Sequence, residues 1–483
     1  MKNNFFDIVV IGNGPTAINF LEELNLHNHN YRIAHINSNF DDKSSALDPF
    51  KMLDPMYNQA SQTWKYLNKE IKLNDYEIFN NFTKYSLGGL SVSWGAGCSE
   101  FSKKDIGANI DLSKYYKLLD NNVEVLNYSN NYLNKYLGSF SRFLKFHTAQ
   151  PFFTSSRYVT YGYAKKAIHF KSKKSKKIEG CNLCEGCNTY CFNNSIYNAS
   201  NDFLEKKNKK LKSYNASKVT SISKKNSSYT IFVTNKDKSS LYSLKCKIVV
   251  LAAGTVNSSK ILLNYLNQSK KLHISLPIKH NHVVRCAFIS LRNFKRLPPQ
   301  PVGINIARTY FKNISSYTSL VFGSHIASSD LISFLPIKNN LIHKFIRILK
   351  KRLIISLTFF PSELSESTIT YVNNNEFIIK GKKPSLFYIF YLMIPFLFNS
   401  IKNLMIPLSF QMLKPGSDLH HGGTFPIGSL PDINTSLHCE LNNHKNLYII
   451  DGSWLPRVSE KPHTYTLMAN ARRIARHILK NEK

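Results

Sequence analysis

Acidic side chains are scarce in this sequence. Its 483 residues include 30 Asp and Glu against 64 Lys and Arg, which gives a formal net charge of +34. Such a surplus favours contact with anionic surfaces: nucleic acid, acidic lipid or an anionic substrate. The lysines are nevertheless spread along the chain, so compositional drift explains the charge equally well. Nucleic-acid binding would need a basic platform studded with aromatic residues; we find none in the sequence and predict no nucleic-acid partner.

Long apolar runs are also missing. The chain has no run of about eighteen apolar residues, the length that a transmembrane helix requires. No secretory signal precedes the first apolar segment, so we expect a cytoplasmic protein. The nearest approach to a long run is residues 386–408, which are rich in aromatic residues and follow Lys380, Lys382 and Lys383. This segment could lie in a membrane interface or form a buried helix pair.

Cysteine is infrequent, yet half of it is concentrated in one segment. Four of the eight cysteines are Cys181, Cys184, Cys187 and Cys191, with the spacing C-x2-C-x2-C-x3-C. Disulfides are disfavoured without a secretion signal, and this spacing is typical of a ferredoxin iron–sulfur run. Ferredoxins use the fourth cysteine for a second cluster, and no second run occurs here. Three of these thiolates with one further ligand could hold a cluster, or all four could hold zinc.

The remaining composition is that of a folded protein. Hydrophobic residues make up 43% of the chain, which argues against global disorder. The length allows two or three domains, or one large α/β unit with an inserted domain. Short strand patterns dominate residues 270–415, with a proline-rich break at 297–301. They predict a β-sheet domain inserted into the first.

The N-terminal segment has the pattern of a dinucleotide-binding unit. Residues 5–11 predict a strand, residues 12–17 form a G-x-G-x-x-A turn, and residues 18–26 predict a helix. Strand, glycine turn and helix in this order are the context that the dinucleotide fingerprint requires. An ordinary glycine-rich turn between a strand and a helix is the alternative.

Each small residue of that turn has a distinct use. Gly12 permits the tight turn, Gly14 lets the backbone approach a pyrophosphate, and Ala17 allows the helix to pack closely. The second strand should end in an acidic residue that binds a ribose hydroxyl. It ends in Asn37, which can still donate and accept hydrogen bonds.

The last seventy residues place histidines beside two turns. His420 and His421 are followed at once by two glycines, and His463 precedes a predicted helix over residues 464–480. Between them, residues 447–450 predict a buried strand that runs into an Asp-Gly turn. A helix N-terminus presents unpaired N–H groups and a partial positive charge. Two imidazoles near such an end could move a proton and stabilise negative charge.

Two further segments are rich in glycine. Residues 84–97 contain four glycines and a tryptophan, and residues 247–255 predict a buried strand that ends in a glycine turn. Glycines let the backbone lie flat against a planar ligand. A plain loop between elements is the equal alternative for the first segment.

Taken together, these segments resemble the glucose–methanol–choline (GMC) family of FAD-dependent oxidoreductases. Each segment is short, but their order and spacing are specific. The segments that carry the resemblance are residues 5–37, 84–98, 181–222, 247–264 and 418–480.

The resemblance implies a fold class and a set of cofactor contacts. The fold is α/β, with a Rossmann-like FAD-binding domain and an inserted β-sheet (α+β) substrate domain. The FAD-binding domain is expected over residues 1–270 and 415–483, and the substrate domain over 271–414. The implied FAD contacts are Gly12, Gly14, Pro15, Ala17, Asn37, Gly88, Gly89, Ser91, Trp94, Val219, Ala253, Gly254, Asp451, Gly452 and Thr464.

The resemblance also implies a catalytic pair and a reaction. His420 falls in the family's H-x-x-G block, as the base that takes the alcohol proton while hydride leaves for flavin N5. His463 lies where family members with two histidines keep the second, and it would hold the substrate oxygen. His421 is the rival base. The implied reaction is oxidation of the CH–OH group of an alcohol, sugar or lipid-like substrate.

The cysteine run resembles a block of the bacterial, cholesterol-oxidase-like branch of the family. It makes Cys181, Cys184, Cys187 and Cys191 candidate ligands of an iron–sulfur cluster. The basic charge and residues 386–408 favour a dehydrogenase in peripheral contact with an anionic membrane over a soluble oxidase; the electron acceptor stays open. The alternative is a catalytically silent flavoprotein, or a partner-binding subunit of a membrane-associated electron-transfer or biosynthetic complex.

Overall fold

The computed structural model describes most of both ends of the chain and much of its middle. The described residues are 5–37, 88–89, 94–123, 125–126, 154–170, 179–182, 191, 193–199, 210–214, 217–235, 241–270, 274–291, 305–323, 348–365, 367–372, 377–381, 384–413, 415–416, 418–428 and 433–481.

Within these residues the chain forms eighteen strands. In chain order they are β1 (Phe5–Ile11), β2 (Ile33–Ile36), β3 (Val125–Leu126), β4 (Val159–Tyr163), β5 (Lys166–Ala167), β6 (Leu211–Tyr214), β7 (Ser217–Lys225), β8 (Ser228–Asn235), β9 (Leu241–Leu251), β10 (Ser275–Ile278), β11 (His282–Ser290), β12 (Asn305–Phe311), β13 (Ile314–Phe322), β14 (Leu353–Phe360), β15 (Ser367–Tyr371), β16 (Phe377–Lys380), β17 (Met405–Met412) and β18 (Leu447–Ile449).

The same residues form six α-helices and three short 3-10 turns. The helices are α1 (Pro15–Asn25), α2 (Lys103–Ile106), α3 (Ser113–Val123), α4 (Thr255–Lys270), α5 (Leu386–Lys402) and α6 (Thr464–Lys480), and the 3-10 turns are Lys350–Arg352, Ser362–Leu364 and Gly452–Trp454.

The first large sheet has seven strands in the order β6-β2-β1-β9-β8-β7, with β18 paired to β9. Strands β6, β2, β1, β9 and β18 run parallel, whereas β7, β8 and β9 form an antiparallel meander. Because a parallel sheet is covered on both faces, its central strands are apolar throughout. Ile8, Val9 and Val10 are accordingly fully buried.

Alternate residues of β1 serve two different cores, as the two-residue period of a strand requires. Ile8 and Val10 pack with α1 and α6 on one face. Val9 and Ile11 pack with α4 and with the small sheet β10-β15-β16 on the other. The carboxyl ends of β1 and β9 lie side by side, since Ile11 pairs with Leu251. In such sheets this edge is where ligands bind.

The second large sheet has six antiparallel strands in the order β17-β11-β14-β13-β12-β4. Helix α5 covers one of its faces, where Phe396 meets Phe288 edge-on with ring centroids 5.8 Å apart. Strand β4 precedes residue 271 and still pairs with β12, so the chain enters this sheet before the predicted domain boundary. The domain limits themselves stay a prediction.

Several local predictions can be compared with the elements. The helix predicted over 464–480 is confirmed as α6. The first helix starts at Pro15 rather than at residue 18, because proline at the first helical position needs no N–H partner. A buried helix pair over 386–408 is wrong: one helix, α5, ends at Lys402 and is followed by β17. A left-handed Leu404 (φ +60°) makes the turn between them.

Candidate active site

The glycine turn after β1 is pressed against the turn after β9. Gly12 has φ +123°, and a Cβ atom there would lie 2.1 Å from the carbonyl oxygen of Ala252. No other residue fits without moving the backbone. The N–H of Gly12 donates to the carbonyl of Ile36 at 3.0 Å, which ties the turn to β2 as well.

The N-terminus of α1 opens onto this turn. Gly14 precedes the helix, has no side-chain cap, and would place a Cβ atom in open space. Gly89 packs on it, since its own Cβ would come within 3.2 Å of the Gly14 Cα. The side-chain amide nitrogen of Asn13 is buried without a hydrogen-bond partner. Uncapped N–H groups and this amide are the donors that a pyrophosphate needs. Gly12, Gly14 and Gly89 thus form a glycine cradle that fits a dinucleotide.

A cavity of about 710 Å³ runs along this edge of the sheet. It starts at Gly12 and Gly14 and reaches His420 and His463. The predicted cofactor contacts that line it are Gly12, Gly14, Pro15, Gly89, Trp94, Val219, Ala253, Gly254, Asp451, Gly452 and Thr464.

The other predicted contacts stand differently. Ala17 is fully buried and packs in the core beneath the cradle, and Gly88 directly precedes Gly89. Asn37 is buried at the end of β2, where its neighbour Ile36 lines the cavity. Ser91 lies outside the described residues. Their roles toward a cofactor remain predictions.

The turn after β18, formed by Asp451 and Gly452, packs closely against the backbone of His421. Asp451 accepts hydrogen bonds from the hydroxyls of Ser258 and Ser453, and its burial raises the pKa of its carboxyl group. A Cβ atom on Gly452 would lie 2.3 Å from the carbonyl oxygen of His421. Glycine is therefore required where the two segments cross.

His420 and His463 lie side by side in the lining of the cavity. Their ring centroids are 5.1 Å apart and the rings meet edge to face. The ring of Phe359 stacks on His420 with centroids 5.3 Å apart. His421 also lines the cavity, but its Nε2 hydrogen-bonds the carbonyl of Gly416 at 3.1 Å. The structure thus brings all three predicted histidines to one site and gives His421 a structural contact.

The fold that carries this site was compared with known proteins. No protein-family model matches the sequence, and no curated protein matches it either. The crystal structure of pyridoxine 4-oxidase from Mesorbium loti aligns with a TM-score of 0.57 over 98% of this chain and 99% of that one. This chain has the fold of pyridoxine 4-oxidase.

Sequence identity to pyridoxine 4-oxidase is 12%, so the likeness concerns the fold. The predicted fold class, a Rossmann-like α/β domain with an additional β-sheet domain, is confirmed. The cholesterol-oxidase-like branch is not tested by this likeness.

Asn281 fixes the protonation of His420, and sequence reasoning missed it. Its Nδ2 donates to the carbonyls of Phe360 at 2.8 Å and Ser459 at 3.0 Å. Two carbonyls must face the NH2 end of the amide, so Oδ1 is left as an acceptor for Nδ1 of His420, at 2.9 Å. Nδ1 therefore carries the proton. It follows that Nε2 of His420 carries the lone pair that a base needs.

Asp418 also fixes the backbone of Asn281 and of His420. One of its oxygens accepts from the backbone N–H of Asn281 at 2.8 Å and of His420 at 3.1 Å. Burial raises the pKa of Asp418 to about 7, although these hydrogen bonds lower it in part. Asp418 is not among the predicted site residues, because its role depends on a contact with Asn281, which is far away in the chain.

Burial keeps the histidines of the site neutral. It lowers the pKa of His420 well below 6.5, with a further lowering from His463 and His421. Burial also lowers the pKa of His463 and of His421 to about 4. Nearby, burial lowers the pKa of His280 to about 3 and that of His282 to about 4. A neutral imidazole can accept a proton, as a base must.

These pKa shifts predict a protein that unfolds in mild acid. The folded-state pKa of each histidine lies below its ordinary 6.5, so between about pH 4 and 6.5 the unfolded chain binds more protons. Each such histidine costs about 1.4 kcal/mol of stability per pH unit as the pH falls. Asp418 and Asp451, whose pKa values burial raises, work in the opposite direction, but they are two groups against five histidines. The histidines concerned are His280, His282, His420, His421 and His463.

The measurement is the melting temperature between pH 8 and pH 4.5, where a steep decline should begin below about pH 6.5. His282→Gln removes one titrating group outside the predicted catalytic pair and should flatten the decline. An equal melting temperature at pH 7 and pH 5 would contradict the assignment of neutral buried histidines.

The cysteine run is only partly described. Cys181 and Cys191 belong to the described residues, and Cys184 and Cys187 lie outside them. The thiol of Cys191 is 3.0 Å from the hydroxyl of Ser195 and accepts its backbone N–H at 3.2 Å. Among the described residues no group of three or more His, Cys, Asp or Glu is placed to hold a metal ion. The described part of the run therefore adds nothing to the predicted cluster.

Proposed function

We propose that this protein is a GMC-family, FAD-dependent oxidoreductase that acts on the CH–OH group of an alcohol. The observation that carries the proposal is that the His420–His463 pair, with ring centroids 5.1 Å apart, lines the same cavity as the glycine turn around Gly12 and Gly14. The shared fold with pyridoxine 4-oxidase supports it.

The residues divide the work as follows. Nε2 of His420 accepts the hydroxyl proton, because Asn281 fixes the proton of this ring on Nδ1. His463 positions the substrate oxygen, because its ring lines the cavity and lies 5.1 Å from the ring of His420 between centroids. Bound FAD would supply a two-electron acceptor for the hydride, and the alcohol would leave as a carbonyl compound. Proton removal as hydride departs avoids a high-energy cation.

The test is the spectrum of the purified protein, followed by anaerobic addition of alcohols. Flavin absorption establishes the cofactor, and its bleaching by an alcohol establishes the reaction. A flavin that no alcohol bleaches would instead support the alternative of a catalytically silent flavoprotein or partner-binding subunit. A protein without flavin would end the proposal.

The predicted iron–sulfur cluster enters no step of this mechanism. Its test is a chemical assay for iron, with an absorption shoulder that bleaches on reduction. A flavoprotein that contains no iron would refute the predicted iron–sulfur cluster.

We further propose that the enzyme is a cytoplasmic dehydrogenase that works in peripheral contact with an anionic membrane. Among the described helices none is long and apolar enough to cross a bilayer, but α5 is apolar on both sides. Its inner side packs on the six-stranded sheet through Met393 and Phe396. Its outer side exposes Phe387 by 81%, Phe398 by 70% and Ile401 by 53%. A helix that is apolar all round suits an environment other than water.

Basic residues lie at the end of the six-stranded sheet that adjoins the exposed apolar side of α5. Leu404, just after α5, accepts the N–H of Leu291, and Ile289 pairs with both Leu353 and Ile406. Lys350, Lys351 and Arg352 directly precede Leu353. Lysines near a membrane surface attract anionic lipid.

Vesicle flotation tests the contact. The protein should float with vesicles of phosphatidylglycerol and phosphatidylcholine, and salt should weaken this binding. Phe387→Ser with Phe398→Ser should reduce it by about tenfold or more for each Phe lost. Leu26→Ser, which changes an apolar residue that is 61% exposed directly after α1, is the control. Unchanged flotation of the double variant would refute membrane contact through α5.

A further inference from the structure

Two neighbouring strands of the six-stranded sheet form one wall of the cavity. Side chains along β13 and β14 alternate between the two faces of the sheet. Leu320, Phe322, Ile354 and Phe360 point to the core beneath α5. The residues of these strands that line the cavity are Tyr317, Ser319, Val321, Leu357 and Phe359.

This wall begins at the catalytic histidines. Phe359 stacks on His420 and lies opposite Tyr317 in the register of the two strands. The next pair on the same face of the sheet is Ser319 and Leu357. A substrate whose hydroxyl reaches His420 therefore meets the wall with the atoms that neighbour its hydroxyl carbon.

The wall offers few hydrogen-bonding groups. Val321, Leu357 and Phe359 have none in their side chains. The Tyr317 hydroxyl is engaged by the side chain of Ser99, and burial raises the pKa of this tyrosine. The hydroxyl of Ser319 is the polar group that the middle of the wall presents.

The charged residues that line the cavity lie on other elements. Lys166 donates to the carbonyl of Gly95. Lys218 lies on β7 next to Val219, a predicted FAD contact, and Lys260 lies on α4. Asp418 and Asp451 are buried and hydrogen-bonded within the protein. No charged residue of β13 or β14 lines the cavity.

We propose that the substrate is an uncharged alcohol on an apolar or aromatic carbon skeleton, rather than a sugar, a polyol or a hydroxy acid. The inference rests on the proposed alcohol oxidation and narrows its substrate class. A polyol placed along this wall would bury several hydroxyls, and each one without a partner weakens binding by about tenfold or more. A carboxylate would lose its hydration with no cation on the wall to replace it. An apolar skeleton gains from the same burial.

Binding and flavin reduction are measured separately on the holoprotein. Benzyl alcohol, cinnamyl alcohol and 1-hexanol are compared with glucose, sorbitol and mandelate, by thermal shift for binding and by anaerobic bleaching for reaction. The apolar alcohols should bind about 100-fold more tightly, and reduce the flavin with a correspondingly higher kcat/KM, since two or more unpaired hydroxyls are at stake.

The outcomes separate the two proposals. Equal or tighter binding of glucose, sorbitol or mandelate would overturn the substrate class, as would a failure of all three apolar alcohols to bind. Binding of the apolar alcohols without bleaching would support the substrate class and refute alcohol oxidation.

Substitutions in the wall test whether its residues cause the preference for apolar alcohols. Leu357→Gln should lower the preference for apolar alcohols by about tenfold, because a buried amide needs partners that an apolar skeleton lacks. Leu241→Gln makes the same change on an exposed residue at the start of β9 and should leave the preference unchanged. Val321→Thr, a smaller change of shape, takes the place of Leu357→Gln if that variant does not fold. An unaltered preference in the folded wall variant would refute the inference.

Discussion

Replacing His420 by Asn is expected to slow flavin reduction by an alcohol by roughly two to four orders of magnitude, the range for loss of a general base. Asparagine can still occupy the space beside Asn281 and Phe359, but it cannot accept the hydroxyl proton. Stopped-flow absorbance under anaerobic conditions measures the rate, with an alcohol that reduces the parent protein. Flavin content should be unchanged, because the glycine turn is formed by Gly12, Gly14 and Gly89, which the substitution does not alter.

Two matched variants distinguish the base from its neighbours. His421→Asn should have a much smaller effect on the rate, because Nε2 of His421 already contacts the carbonyl of Gly416. Asn281→Leu should slow reduction with flavin content retained, because Nδ1 of His420 then loses the acceptor that fixes its proton. If His420→Asn reduces flavin at the parent rate, the base is His421 or His463.

Replacing Arg472 by Met is expected to destabilise the protein by about 3 kcal/mol or more, as removal of one partner of a buried ion pair does. Arg472, on α6, is 1% exposed and donates to Glu23 of α1 at 2.9 Å and to Glu22 at 2.7 Å. Burial by itself would raise the pKa of Glu23, but its hydrogen bonds with Arg476 and Arg472 lower it overall. Without Arg472, the fully buried carboxylate of Glu23 keeps only partly exposed partners, Arg476 and His27.

The shift of the urea midpoint, followed by circular dichroism, measures this loss. Adding Glu23→Leu to Arg472→Met should recover most of it, because removing both partners leaves no uncompensated charge. Lys247→Met is the control: this lysine is 61% exposed in its pair with Asp7 and should contribute at most about 1 kcal/mol. Equal midpoints for Arg472→Met and Lys247→Met would show that the ion pair does not hold the two ends of the chain together.

Predictions from the sequence succeeded where a local pattern is sufficient. The strand, turn and helix around Gly12 need only an apolar run, two glycines and a proline in the right order. Helix α6 needs only its apolar period, and both its ends match the prediction. The prediction for residues 386–408 failed in part, because apolarity alone does not distinguish a second buried helix from an edge strand such as β17.

The same contrast between local pattern and tertiary contact applies to the histidines of the site. Their place in the sequence and the family resemblance were enough to select His420, His421 and His463. The resemblance ranked His420 above His421 as the base, but the contacts that bear on this ranking, namely which carbonyl or amide each ring nitrogen meets, cannot be read from the sequence. Asn281 lies 139 residues from His420, and nothing in its own neighbourhood marks it.

The sequence by itself determined the Rossmann-like unit and the identity of the histidines, because short-range periodicity and the conformational needs of glycine are written in neighbouring residues. Only the tertiary structure decided that Asn281 sets the proton on His420, that β13 and β14 give the cavity an apolar wall, and that α5 keeps an apolar side exposed. Those features depend on strand register and on contacts between distant segments, and no local pattern specifies which face of an element will be covered.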